Sequence, residues 1–271
     1  MTENGIADVP GARLAWWTDG DGDGDPLVLV HAGVADARMW EPLLPALTAA
    51  HRVVRLDMRG FGESRSAPGA FSLAGDLMAL LDVLGIARAH VVGASFGGLV
   101  ALELAAAAPA RVASLVLLAA ALPDIEPSPE LLAFAKAEEG AIAVGRIEDA
   151  VAVNVRMWAG DSTPEVRALV ADMQRIAFEL QLHEGADFDE LDPPVSARLV
   201  EIAVPATVAY GERDVPDFAQ VARRLHAELP SSTLHEIAGA GHLLALDEPE
   251  AVARLILRHL DELSPGASPP R

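Results

Sequence analysis

Val91-Val92-Gly93-Ala94-Ser95-Phe96-Gly97-Gly98 is the stretch on which the fold turns. An apolar run of strand character stops at a serine with glycine two residues before it and two after, and a helical pattern follows at once from Phe96 to Ala108. A strand, a sharp turn and a helix in so short a space bring main chains close together, and a Cβ at residue 93 or 97 would crowd that approach. The G-x-S-x-G spacing lifts a serine side chain off the end of a strand onto a strained turn. The helix starting there also presents unsatisfied backbone N–H groups and the positive end of its dipole to a developing anion. Alone, the pentapeptide supports two readings equally: an exposed nucleophile, or a serine that caps a helix. The surroundings decide.

On the N-terminal side, Ile6 to Thr18 reads as two short strands turning at Pro10-Gly11, and Leu27 to Val30 is a wholly apolar run expected of a strand covered on both faces. The acidic, glycine-rich stretch from Asp19 to Asp25 resembles a calcium loop, but Val30 stands where an EF-hand needs its bidentate Glu, so a hairpin loop is expected. Helical spacing covers Ala37 to Ala50, Val53 to Leu56 is the next strand, and Ser72 to Leu84 carries an apolar helical stripe. After the central strand and helix, Val112 to Ala119 is another buried strand. Strand and helix alternating in this way imply right-handed crossovers and a mostly parallel sheet flanked by helices, an α/β fold.

The rhythm breaks between Pro123 and Leu199, where only helix signals occur: Ser128-Pro129 and Thr163-Pro164 each look like a cap followed by proline in the first turn. It resumes with strands at Ala206 to Tyr210 and Thr233 to Ile237, a helix from Phe218 to Leu229 and a last helix from Pro249 to Leu263. The expected organisation is a core in two parts, residues 1–122 and 200–263, a helical cap over 123–199, and a flexible tail at 264–271 rich in Pro, Gly and Ser.

The totals narrow the function. In 271 residues, the 51% that are hydrophobic exclude a disordered chain, and the formal charge of −20 repels nucleic acid. No apolar run approaches the length of a membrane span. The absence of cysteine removes disulfide and thiolate chemistry and favours the cytoplasm.

A serine hydroxyl needs a base. Of eight histidines, His183, His226 and His259 lie on the polar sides of helical segments and, with His51, His90 and His235 at or within strands, read as solvent or packing residues, while His31 reads as a brace for its own loop. His242 directly follows a strand, in Ala238-Gly239-Ala240-Gly241-His242, where paired glycines let a loop project it over the sheet edge. The base needs a carboxylate, and Asp214 in Gly211-Glu212-Arg213-Asp214 lies just past another strand end, with Glu212 and Asp124 as rivals. In a parallel sheet those strand ends gather at one edge. An oxyanion needs two donors, for which the Phe96 and Gly33 N–H groups are the candidates.

With these residues in view, the chain resembles the capped branch of the α/β-hydrolase superfamily. The likeness is carried by His31-Ala32-Gly33 with Trp40 downstream, by Asp57-Met58-Arg59-Gly60-Phe61-Gly62-Glu63-Ser64, by the elbow at Ser95, and by Gly211-Glu212-Arg213-Asp214 with Gly241-His242. These span Val28 to Leu260 in the family's order Ser, acid, His. Ala32 departs from the family's usual His-Gly pair, which leaves the loop less free there and Gly33 the less firmly assigned of the two oxyanion donors. The resemblance implies an α/β-hydrolase fold with a helical cap inserted after the sixth strand. It further implies a serine hydrolase of esters or lactones acting through Ser95, His242 and Asp214, with no cofactor and no metal. Phe134, Met157, Trp158, Met173 and Phe178 in the cap suggest a small, largely apolar molecule, with packing of the cap as the alternative for most of them, and Phe134, Met157, Trp158 and Val34 are the candidate substrate contacts. The alternatives are hydrolysis of a carbon–carbon bond in a vinylogous diketone by the same residues, or a ligand-binding protein without turnover. The expected partner is a small-molecule substrate, with no nucleic acid and no membrane span, and a homodimer is allowed.

Overall fold

The computed structural model describes residues 2–184, 186–188 and 193–263, so the tail expected at 264–271 lies outside the described residues. In chain order the elements are β1 (Glu3–Val9), β2 (Ala12–Asp19), β3 (Leu27–Val30), α1 (Leu44–Leu47), β4 (Val53–Leu56), β5 (Arg65–Ser66), β6 (Gly69–Phe71), α2 (Leu73–Val83), β7 (Ala89–Ala94), α3 (Phe96–Ala107) and β8 (Val112–Leu118). Three helices follow, α4 (Pro129–Ala143), α5 (Ile147–Ala159) and α6 (Pro164–Glu184), and then β9 (Ala186–Phe188). The chain closes with β10 (Ala206–Gly211), α7 (Pro216–Glu228), β11 (Ser232–Ile237), α8 (Leu244–Asp247) and α9 (Pro249–Leu263).

The main sheet runs β1-β2-β4-β3-β7-β8-β10-β11, antiparallel over its first two steps and parallel from β4 onward. Along this path the three-helix insertion leaves after the sixth strand, β8, and returns before the seventh, β10. The apolar strands make sense from the two faces they serve. Val28 and Val30 join one core cluster with Leu77, Leu80 and Leu102 of α2 and α3, while Leu27 and Leu29 join the other with Met39, Trp40, Ile256 and Leu260. Alternating residues point to opposite faces, so a strand covered on both sides must be apolar throughout.

Four expectations need correction. The loop at residues 19–25 is not a hairpin, because β3 pairs with β4 and β7 and never with β2. The segment from Ala37 is a 3₁₀ helix to Leu43 followed by the single turn α1, since Pro42 and Pro45 remove the amide donors that a continuous α-helix needs. Between Pro123 and Leu199 the pattern showed helices only, yet the three-residue β9 pairs in parallel with β6, a strand too short to register as a period. Val195 and Leu199, both about 1% exposed, belong to the cluster around α3.

His259 is the fourth correction. It faces the core and not the solvent: Nε2 lies 2.8 Å from the Ser114 hydroxyl and Nδ1 2.9 Å from that of Thr207. Burial first, then the charge of neighbouring His90, pushes its pKa down to about 4. The unfolded chain therefore takes up a proton near pH 6.5 that the folded chain refuses until about pH 4, so stability falls as pH drops through that window. Between about pH 6.5 and about pH 4.5 the wild type should lose about 2 kcal/mol more than a His259→Asn variant, measured by urea unfolding at both values. Equal losses would show that the imidazole titrates normally.

Among the described residues no helix is long and apolar enough to cross a membrane.

Candidate active site

Ser95 directly follows β7 and stands at the N-cap of α3 with φ 50° and ψ −115°, a conformation strained for any residue with a side chain. The surroundings hold it there. Its N–H donates to Leu118 O on β8 at 2.9 Å, and its carbonyl accepts from Gly98 N at 2.9 Å and Ala121 N at 3.0 Å. The elbow glycines are required by close approach: a Cβ on Gly93 would strike the Gly97 carbonyl, and one on Gly97 the carbonyls of Val30 and His31. Backbone cannot step aside as a flexible side chain could.

Two loops at the same sheet edge bring the other groups. After β10, the Asp214 carboxylate accepts from Val215 N–H at 2.7 Å, which fixes its orientation. After β11, Gly241 N–H donates to Asp247 Oδ2 at 2.9 Å and sets the loop that carries His242. His242 Nδ1–H donates to Asp214 Oδ2 at 2.9 Å, with Oδ1 at 3.1 Å, so Nε2 is left as an acceptor. The Ser95 hydroxyl donates to that Nε2 at 2.9 Å. The side chains of His242 and Asp214 are only 3% and 1% exposed, so water competes little for either contact. In this line the serine proton has a short path to the imidazole while the carboxylate steadies the resulting cation.

The rival carboxylates are occupied elsewhere. Glu212 accepts from Gly239 N–H at 2.8 Å, and Asp124 pairs with Arg224 at 3.0 Å.

Gly33 and Phe96 sit beside Ser95. The main chain at Gly33 runs so near that a Cβ there would lie 3.5 Å from Phe96 Cβ. His31 braces this loop as expected: Nδ1–H donates to Ala32 O at 2.8 Å and Nε2 accepts from Met58 N–H at 2.9 Å. Its complete burial lowers its pKa to about 4 and keeps it neutral, as the Met58 bond requires. The Asp57-to-Ser64 motif is therefore scaffold. Asp57 accepts from Ala37 N at 2.8 Å and Glu63 N at 2.7 Å, and Arg59 pairs with Asp76 at 2.6 Å in a buried ion pair that ties the loop to α2.

The insertion lies over this edge. Trp158 of α5 packs on the His242 ring at 4.5 Å between centroids, Phe218 of α7 at 4.2 Å, and Phe134 of α4 meets Trp158 at 5.0 Å. Beneath it a cavity of about 480 Å³ is bounded by Gly33, Val34, Ser95, Phe96, Phe134 and Trp158, with His242 at one end. Of the candidate contacts, Val34, Phe134 and Trp158 are there. Met157 is not: it faces a separate depression of about 230 Å³ beside Asp214 and Arg213, with Trp158 and His242 between the two. The sequence reading missed Phe61 and four polar residues of the cavity wall, Glu138, Asn154, Gln174 and Gln181. Their signal was a polar residue inside an apolar helical stripe, as Asn154 stands among Val151, Val155 and Trp158. Glu138 accepts from the Asn154 amide, and burial raises its carboxyl above the usual range while that bond pulls it back.

Residues 27–255 match the alpha/beta hydrolase family. A 2-hydroxy-6-oxononadienedioate/2-hydroxy-6-oxononatrienedioate hydrolase of Pseudomonas putida is 31% identical over 261 residues, covering 87% of this chain and 87% of its own. A dihydrolipoyllysine-residue acetyltransferase component of an acetoin cleaving system, also of Pseudomonas putida, is 47% identical over 118 residues. That match takes in 42% of this chain, and it spans 32% of that relative's length. Among solved structures, the enol-lactonase from Burkholderia xenovorans LB400 superposes with a TM-score of 0.78 at 26% identity, covering 94% of this chain and 99% of that one.

Proposed function

This chain belongs to the alpha/beta hydrolase family, and from that premise we propose that it is a serine hydrolase of carboxylic esters or lactones. The observation that carries the reading is the unbroken line from the Ser95 hydroxyl through the His242 ring to the Asp214 carboxylate. Ser95 Oγ attacks the carbonyl carbon as its proton passes to His242 Nε2, and Asp214 steadies the imidazolium. The carbonyl oxygen becomes an oxyanion held by the Phe96 amide at the start of α3 and the Gly33 amide in the loop after β3. Collapse expels the alcohol, which takes the proton from Nε2, and leaves an acyl group on Ser95. Water then gives its proton to Nε2 and attacks the acyl carbon, and the reverse transfer frees the acid and restores Ser95. Helices α4, α5 and α6 act as a cap that shields these steps from bulk water.

The cavity favours an uncharged, mainly apolar substrate. Aromatic and aliphatic side chains make most of its wall, and among the described residues that bound it none is Lys or Arg. The same fact weakens the carbon–carbon alternative, because the Pseudomonas putida relative's name specifies a dioate, whose two carboxylates would meet Glu138 here and no cation.

Purified protein should turn over p-nitrophenyl butanoate and take up a fluorophosphonate on Ser95, seen by intact mass and peptide mapping. Folded protein that stays unlabelled, and inactive across an ester and lactone panel, would leave only the ligand-binding reading.

A further inference from the structure

The roof of the Ser95 cavity carries a polar cluster that the chemistry at Ser95 does not use. Gln174 on α6 is 4% exposed and bounds the cavity, yet its Oε1 is buried without a hydrogen-bond partner among the described residues. A buried acceptor left unpaired is destabilising, and such groups persist in proteins where bound water, strain or a ligand accounts for them; beside a cavity, a ligand can supply the missing donor. Across the cavity wall, Asn154 of α5 is 1% exposed. Its Nδ2 is consumed by Glu138 Oε1 of α4 and by Ala150 O at 3.0 Å, so the amide holds the carboxyl in place. Glu138, Asn154 and Gln174, from α4, α5 and α6 in turn, thus stand with Gln181 of α6 in a wall that also includes Phe61, Phe134, Ile142 and Phe178. Aliphatic residues would pack there at less cost if the ligand were a plain hydrocarbon.

We propose that Gln174, with the Glu138–Asn154 pair, forms a subsite for a neutral hydrogen-bond donor on the substrate, a hydroxyl or an amide N–H remote from the scissile carbonyl. The assignment rests on the ester or lactone hydrolysis proposed above. Gln174 Oε1 and the Glu138 carboxyl are both acceptors, which selects a donor. A terminal carboxylate meets the Glu138 carboxyl and no cation. A terminal ammonium must be stripped of water among aromatic walls.

Two matched series of esters test this. One places methyl, hydroxyl, carboxamide, carboxylate or ammonium at the end of the acyl chain of p-nitrophenyl hexanoate and octanoate. The other places the same groups at the end of the alcohol of a butanoate ester. In one series the wild type should favour hydroxyl or carboxamide over methyl by about tenfold or more in kcat/KM, because a site built for a hydrogen bond rejects the analogue that lacks it. Gln174→Met, which keeps the volume, should erase that preference, bringing the ratio of kcat/KM for the hydroxyl- or carboxamide-ended ester over the methyl-ended one to about one. Glu138→Gln should relax the rejection of the carboxylate. A preference for methyl in both series, a preference for ammonium over hydroxyl, or an unchanged ratio in Gln174→Met would each overturn the subsite while leaving ester hydrolysis standing. Absence of turnover on every ester, with no fluorophosphonate adduct, would overturn the hydrolase reading and the subsite with it.

Discussion

Replacing Ser95 with alanine is expected to lower kcat on a p-nitrophenyl ester by about 10⁴-fold or more and to leave the protein folded. The hydroxyl is the only atom removed, and its recorded contact is to His242 Nε2, so no hydrogen bond of the sheet is lost. The turn itself is held by main-chain bonds to Leu118, Gly98 and Ala121 that alanine keeps. Circular dichroism and thermal unfolding should match the wild type, and the fluorophosphonate adduct should disappear. A variant that still hydrolyses the ester within tenfold of the wild type would discredit Ser95 as the nucleophile.

The second large effect is expected at Asp214. An Asp214→Asn variant keeps the shape of the loop but presents an amide N–H toward His242 Nδ1 when its carbonyl accepts from Val215. The ring is then driven to the tautomer with its proton on Nε2, where it can no longer accept from Ser95. The expected loss is about 10³- to 10⁴-fold in kcat with KM near its original value. No neighbour is placed to take over, because Glu212 is bound to the Gly239 amide and Asp124 to the Arg224 guanidinium. A fall of less than tenfold, measured as kcat at saturating ester, would mean that the imidazole does not depend on this carboxylate. Asp214→Ala, by opening space beside a buried ring, should be at least as damaging.

The reach of the sequence differs between the two halves of the site. The turn at Ser95 was legible because its requirements are local: two glycines where carbonyls crowd, one residue at positive φ, a strand before and a helix after. His242 and Asp214 were legible for a related reason, since each directly follows a strand and parallel strands deliver their ends to one edge. The resemblance to a known family named the same residues, yet the Asp57-to-Ser64 motif that makes it distinctive turned out mainly to brace the His31 loop and α2, reaching the cavity wall through Phe61 and through the Gly60 carbonyl, which accepts from Gln181 Nε2 at 3.2 Å.

The insertion was harder to read. Its helices and their caps at Ser128 and Thr163 follow from spacing and proline placement. Which face of each helix meets the sheet, however, depends on three crossing elements at once. Met157 and Trp158 are neighbours in sequence, but only Trp158 reaches the Ser95 cavity, since successive residues on a helix point about a quarter-turn or more apart. His259 was misjudged for the same reason: the apolar stripe of α9 was clear, but the Thr207 and Ser114 hydroxyls that receive the imidazole come from β10 and β8, far away in the chain.

By itself, then, the order of residues determined the α/β alternation, the turn at Ser95 and the two strand-end loops that meet it, because short-range sterics and the direction of parallel strands leave few other arrangements. Only the tertiary structure decided the wall of the cavity, the unpaired Gln174 beside the Glu138–Asn154 pair and the neutral His259. Those depend on which side chains from separate helices face one another, and no period along a single segment encodes that meeting.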